Sequence, residues 1–158
     1  MRLLILLLLN LMTFVVMPAA TNAQQALVPD PVAFEKDHFV KRCGANTSFG
    51  DGFATQQDIN NDKLGDVVIN EGELTCKGEK GPDCTDEGCP HNFYIQVDTG
   101  GYLMIATANI YSYDFVQRFG NMVLVMKMHP HFCDRTDSEP CQITVRVRGT
   151  KFTTISKK

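Results

Sequence analysis

Six cysteines follow an apolar leader, and that combination limits the fold more than any other feature of the chain. The leader, "MRLLILLLLNLMTFVVMPAATNA", has one positive residue, Arg2, then an apolar run from Leu3 to Val16, then small residues. This is the layout of a secretory signal peptide, and the expected cut falls after Ala23. The run is shorter than the ~20 residues a transmembrane helix needs, so no membrane span is expected once the leader is removed. The cysteines lie beyond it, at Cys43, Cys76, Cys84, Cys89, Cys133 and Cys141. In an oxidising compartment, an even set reads as a disulfide framework. A zinc ribbon or finger needs C-x2-C spacings, and neither Cys84/Cys89 nor Cys133/Cys141 supplies one. Cys133 and Cys141 bracket the polar stretch "DRTDSEP" and are the first expected pair. Cys76 is expected to join Cys84 or Cys89 across "KGEKGPD", which leaves the remaining partner for Cys43.

The expected organisation is a signal peptide over 1–23, a proline-containing linker over 24–33 and a single domain over 34–158. Eighteen acidic against fifteen basic residues give a formal net charge of −3, and −4 once Arg2 leaves with the leader. Such a surface does not suit nucleic acid, whose binding is dominated by phosphate neutralisation. The chain is expected to be secreted or periplasmic.

Hydropathy periodicity sets the fold class. "FEKDHFVKRC", 34–43, spaces Phe34, His38 and Phe39 for a short amphipathic helix. Beyond residue 66 the pattern turns to strands. "DVVIN" is short and apolar, and 71–91 reads as a stapled loop. "NFYIQV" and "YLMIATANI" form a hairpin around "DTGG". "YSYDFVQRFG" is ambiguous between strand and helical turn. "NMVLVMKMH" is the strongest apolar run after the leader. "QITVRVR" alternates strictly, with Ile143, Val145 and Val147 inward and Thr144, Arg146 and Arg148 outward, and it turns through "RGTK" into "FTTI". The expectation is a mainly β, disulfide-stapled domain: a small antiparallel sheet or sandwich with a short N-terminal helix.

The stretch "DINNDKLGD" places Asp58, Asn60, Asp62 and Asp66 at positions 1, 3, 5 and 9 of a loop, with Leu64 offering its backbone carbonyl. Calcium takes six to eight oxygens of these kinds. An Asx-rich turn whose side chains bond the backbone uses the same residues. Position 12 is Ile69, not the bidentate glutamate of an EF-hand.

The segment "FATQQDINNDKLGDVVI", 53–69, resembles the D-x-[DN]-x-D-x-x-x-D calcium loop of FG-GAP repeats, found in integrin-type propeller blades. In such repeats one strand leads into the loop and another leaves it. The resemblance covers about one tenth of the chain. It implies a structural calcium held by Asp58, Asn60, Asp62, Asp66 and the Leu64 carbonyl. The family usually has glycine at positions 4 and 6, where this chain has Asn61 and Lys63. Lysine in a left-handed conformation costs on the order of 1 kcal/mol, unless Gly65 takes up the turn instead. The layout is also similar to small exported bacterial cysteine-rich proteins of unassigned function. In those, the loop precedes "C-x-G", here Cys76-Lys77-Gly78, then a "C…GC" knot, Cys84 to Cys89, and a strand ending "H…C", His131 to Cys133. That likeness implies a shared fold and no activity.

Other clusters are weaker. In "MKMHPHFC", Met126 and Met128 fall on one strand face and His129 and His131 on the other, so they do not combine as metal ligands. Asp86 and Glu87 are adjacent in the cysteine-rich loop. Arg146, Arg148 and Lys151 form a basic stripe suited to solvent or to an acidic partner. No nucleophile elbow, H-E-x-x-H or phosphate loop is present, and no catalytic residue is assigned. The expected function is a non-enzymatic binding module for a protein or envelope component. The alternatives are an inhibitor or immunity protein against a hydrolase and, third, a metal-dependent enzyme.

Overall fold

The computed structural model describes residues 26–98 and 100–158; the expected leader, 1–23, lies outside them. Among the described residues, no helix is long and apolar enough to cross a membrane.

The helix, α1 (Pro31–Cys43), begins inside the stretch read as linker. Asp30 caps it by accepting the Ala33 N–H at 3.0 Å, and Pro31 sits in the first turn, where its missing N–H costs nothing. Lys41 and Arg42 in the last turn complement the helix dipole. Its buried stripe is Pro31, Glu35, Phe39 and Cys43, while Phe34 and Val40 are exposed. The expected apolar face, centred on Phe34, His38 and Phe39, is therefore rotated. A carboxylate occupies the buried face because the sheet beneath offers it hydrogen-bond donors.

Among the described residues, eleven strands follow: β1 (Thr47–Phe49), β2 (Ala54–Gln57), β3 (Asp66–Asn70), β4 (Leu74–Cys76), β5 (Glu79–Lys80), β6 (Cys89–Gln96), β7 (Tyr102–Ile110), β8 (Ser112–Arg118), β9 (Asn121–Met128), β10 (Cys141–Arg148) and β11 (Lys151–Lys157). They form three antiparallel sheets: β2-β3-β6-β7, β11-β10-β9-β8 and the small β1-β4-β5. The ambiguous "YSYDFVQRFG" is strand, β8, paired along its length with β9.

The β2-β3-β6-β7 sheet is apolar on both faces. Val68, Phe93 and Ile95 meet Leu124, Met126, Ile143 and Val145 of the C-terminal sheet in one core. Val67, Ile69 and Tyr94 point the other way and pack with Phe39 of α1, Phe53 and Leu74 in a second. Strict alternation thus survives, but both sets of side chains are buried, which is why "DVVIN" reads as continuously apolar. Fully burying each such Val, Ile or Phe contributes roughly 1.5–3 kcal/mol. The chain passes from one large sheet to the other at Tyr111, which lies between β7 and β8.

The disulfides are Cys43–Cys76, Cys84–Cys89 and Cys133–Cys141, and no cysteine is free. The Cys133–Cys141 expectation holds; the joining of Cys76 to Cys84 or Cys89 does not. Pairing of β1 with β4 sets Thr47 opposite Cys76, which carries Cys76 to the C-terminal end of α1. Cys84 and Cys89 then close a tight turn of their own, in which Thr85 and Gly88 exchange backbone hydrogen bonds of 2.9 and 3.1 Å.

Candidate functional site

The 58–66 loop joins the antiparallel neighbours β2 and β3. Asp58 anchors it. Its Oδ1 accepts the N–H groups of Asn61 (2.7 Å) and Asp62 (3.1 Å), and its Oδ2 that of Lys63 (2.9 Å). Asn60 Oδ1 accepts the Asp62 N–H, and Asp62 Oδ1 the Leu64 N–H. Asp66 is fully buried and takes the Ile59 N–H on Oδ2 and the Gln96 N–H on Oδ1, both at 2.9 Å. Burial pushes its carboxyl up, the two backbone N–H groups oppose that, and the nearby Asp62 adds to it.

The backbone carries positive φ at Asn61 (68°) and Lys63 (74°), the two positions where the FG-GAP pattern has glycine. Gly65 is not left-handed, so the turn is not transferred to it. Asn61 also ties the loop across the sandwich: its amide accepts the Met122 N–H and donates to the Met122 carbonyl. Among the described residues, the ligand atoms of Asp58, Asp62 and Asp66 do not all lie within 4.8 Å of one another.

A second polar centre is absent from the sequence reading. Glu35 Oε1 accepts the Tyr94 hydroxyl (2.5 Å) and one N–H of the Asn92 amide (3.1 Å). Asn92 Nδ2 also donates to Glu71 Oε1 at 3.0 Å, and its Oδ1 accepts from Thr107 at 2.7 Å. Glu35 and Asn92 are buried. Burial pushes Glu71 up to about 7, with Asp83 and Glu35 adding to the shift and Asn92 and Arg42 opposing it. Burial and the Glu35 carboxylate together push the Tyr94 hydroxyl up. Every polar group here has a partner, so the centre reads as a fastener between α1 and β6. The one signal in the sequence was a glutamate between apolar helix positions.

The outer face of the C-terminal sheet differs. A groove of about 420 Å³ is lined by Arg118, Arg146 and Arg148 with Phe119, Val123 and Ile155. Val123 is buried yet belongs to neither core; it is part of an apolar floor beneath the arginines. Phe119 is 99% exposed at the β8–β9 turn. Among the described residues, none of the three arginines has an ion-pair partner, and Arg146 Nε is buried without a hydrogen bond. Lys41, Arg42, Lys80, Arg135 and Lys157, by contrast, each pair with an acid. The sequence had singled out Arg146, Arg148 and Lys151. It missed Arg118, which β9 places two strands away from Arg146.

Met126 and Met128 lie in the core and His129 and His131 outside it, which separates the two groups as the strand periodicity required. No protein-family model, curated protein or solved structure matches the chain.

Proposed function

We propose that the chain is an exported, non-enzymatic binding module that takes an acidic segment of a partner protein on the outer face of its β8–β11 sheet. The observation that carries this is the convergence of Arg118, Arg146 and Arg148, unpaired, over an apolar floor in a chain of net negative charge. Guanidinium groups gathered without counter-charges repel one another, and a carboxylate ligand both relieves that and accepts paired N–H bonds. Phe119 and Ile155 supply the apolar anchors that interfaces favour beside arginine. Capture from an extract of the exporting cell's envelope tests the proposal. The wild-type chain is expected to retain an acidic protein that Arg146→Glu/Arg148→Glu loses; equal capture by both sinks it. A captured hydrolase that loses activity on binding would favour the inhibitor alternative.

Within the same proposal, the 58–66 loop is a weak structural calcium site. Its donors are of the right kind, since Asp58, Asn60, Asp62, Asp66 and the Leu64 carbonyl are all hard oxygens, and the three carboxylates must close up around the ion, because their ligand atoms do not all lie within 4.8 Å of one another. The carboxylates retain lone pairs beyond the N–H bonds they accept, and Lys63 weakens binding by its charge. Calcium at ten times its dissociation constant stabilises the folded state by about 1.4 kcal/mol. The melting temperature should therefore rise by a few degrees in calcium, much less in magnesium, and not at all in Asp62→Ala. A melting curve indifferent to millimolar calcium makes the loop an ordinary polar turn.

A further inference from the structure

We infer that Glu87, His129 and His131 form a binding site for a divalent transition-metal ion, zinc by its donor set, with a coordination position left open to water. One ligand atom from each of the three residues lies within 4.8 Å of the other two. His129 Nδ1 and His131 Nδ1 are 2.8 Å apart, and His131 Nδ1 is 3.4 Å from Glu87 Oε1. Ligand atoms bound to one tetrahedral zinc at ~2.0–2.1 Å lie about 3.3 Å from each other. Two of the three separations thus already stand close to what the ion requires, and the third closes within 4.8 Å.

Without a metal, this contact needs a proton. Two imidazole nitrogens can sit at 2.8 Å only if one carries a hydrogen and the other accepts it. His129 Nδ1 also faces the His131 backbone N–H at 3.4 Å, which marks it as the acceptor. The hydrogen then belongs on His131 Nδ1, pointing toward His129 and Glu87. A cation in that hydrogen's place is met by two imidazole lone pairs and one carboxylate oxygen. Two histidines and a glutamate are a known zinc set with one position for water. Thiolate and thioether ligands are missing: Cys133 and Cys141 are joined, and Met126 and Met128 are in the core, so a soft monovalent ion is disfavoured.

The fold holds the ligands in place from two sides. His129 follows the last residue of β9, Pro130 stiffens the single turn that carries His131, and the Cys133–Cys141 disulfide ties that turn to β10. Glu87 sits in the short loop closed by Cys84–Cys89. Tyr111 joins the two: its hydroxyl donates to the Asp86 carbonyl at 2.5 Å and its N–H to the Lys127 carbonyl at 2.9 Å. Gly88 lets the Glu87 loop lie against the backbone of Ile110, which a Cβ would meet at 2.6 Å. The side chains of His131 and Glu87 are 46% and 39% exposed, so an ion can enter from solvent.

Titration of the oxidised full chain, stripped with chelator, with zinc chloride in a calorimeter tests the site. One ion per chain is expected, and cobalt as a stand-in should show the visible absorption of a low-coordinate site. Glu87→Gln and His131→Asn should each weaken binding by about tenfold or more, since even partners of ligands are worth that much. Asp62→Ala should leave zinc affinity unchanged. Circular dichroism checks each fold, and the isosteric Glu87→Gln decides if a histidine variant misfolds. Absence of saturable zinc binding overturns the assignment. So does an affinity unmoved by Glu87→Gln, or lowered only by Asp62→Ala.

Discussion

Replacing Glu71 with glutamine should make the protein more stable at pH 8 and leave it unchanged at pH 4. Glu71 shares the Asn92 amide with Glu35 and is held up to about 7 by burial first, then by the nearby carboxylates. Its ordinary value is 4.5. Below that value it is protonated in both folded and unfolded chains, and it costs the fold nothing. As pH rises from 4.5 to 7, the unfolded chain releases the proton and the folded chain keeps it, so stability falls; above 7 the loss is complete. At 1.36 kcal/mol per unit, the full shift would amount to roughly 3.4 kcal/mol. Glu71 is only partly buried, and solvent screening reduces this to about 1.5 kcal/mol. Glutamine keeps an oxygen for the Asn92 amide and cannot ionise. Urea unfolding of both chains at pH 4, 6 and 8 should show curves that coincide at pH 4 and separate by pH 8, with Glu71→Gln above. A constant offset across the range, or a variant weaker at pH 8, would refute the reasoning.

Three further perturbations probe the scaffold. Asp66→Asn leaves one of the Ile59 and Gln96 N–H groups without its carboxylate acceptor in a fully buried position. It should lower unfolding free energy by roughly 1–3 kcal/mol, read as an earlier urea midpoint. Opening Cys43–Cys76, which spans 33 residues, should cost about 4 kcal/mol against about 2 kcal/mol for Cys84–Cys89, which spans 5, by loop-closure entropy. Paired Cys→Ala variants compared by thermal unfolding give that order. Gly88→Ala adds a Cβ against Ile110 at a φ of 111°. It should destabilise the fold by roughly 1–3 kcal/mol and weaken zinc binding, because the Glu87 loop is pushed off β7.

Local periodicity was legible without coordinates because it depends only on neighbours along the chain. The alternation in "QITVRVR" put Ile143, Val145 and Val147 in the core, and the "DTGG" and "RGTK" turns placed two hairpins. The even cysteine count pointed to a closed framework, and the bracketed "DRTDSEP" pointed to one of its bridges, Cys133–Cys141. The left-handed positions Asn61 and Lys63 are the two at which the resembled loop has glycine. What sequence could not supply was which face of which element lies against which other. Cys43 meets Cys76 only because α1 packs beside the small β1-β4-β5 sheet. Glu35 is buried only because Tyr94 and Asn92, nearly sixty residues on, offer it donors. Arg118 joins Arg146 through an intervening strand, and Glu87 reaches His131 through the corner at Tyr111. Each of these contacts is decided by non-local packing, in which many weak burial terms choose one arrangement together. No window of the sequence holds that sum, so the candidate sites appear only once the two sheets and the helix are set against each other.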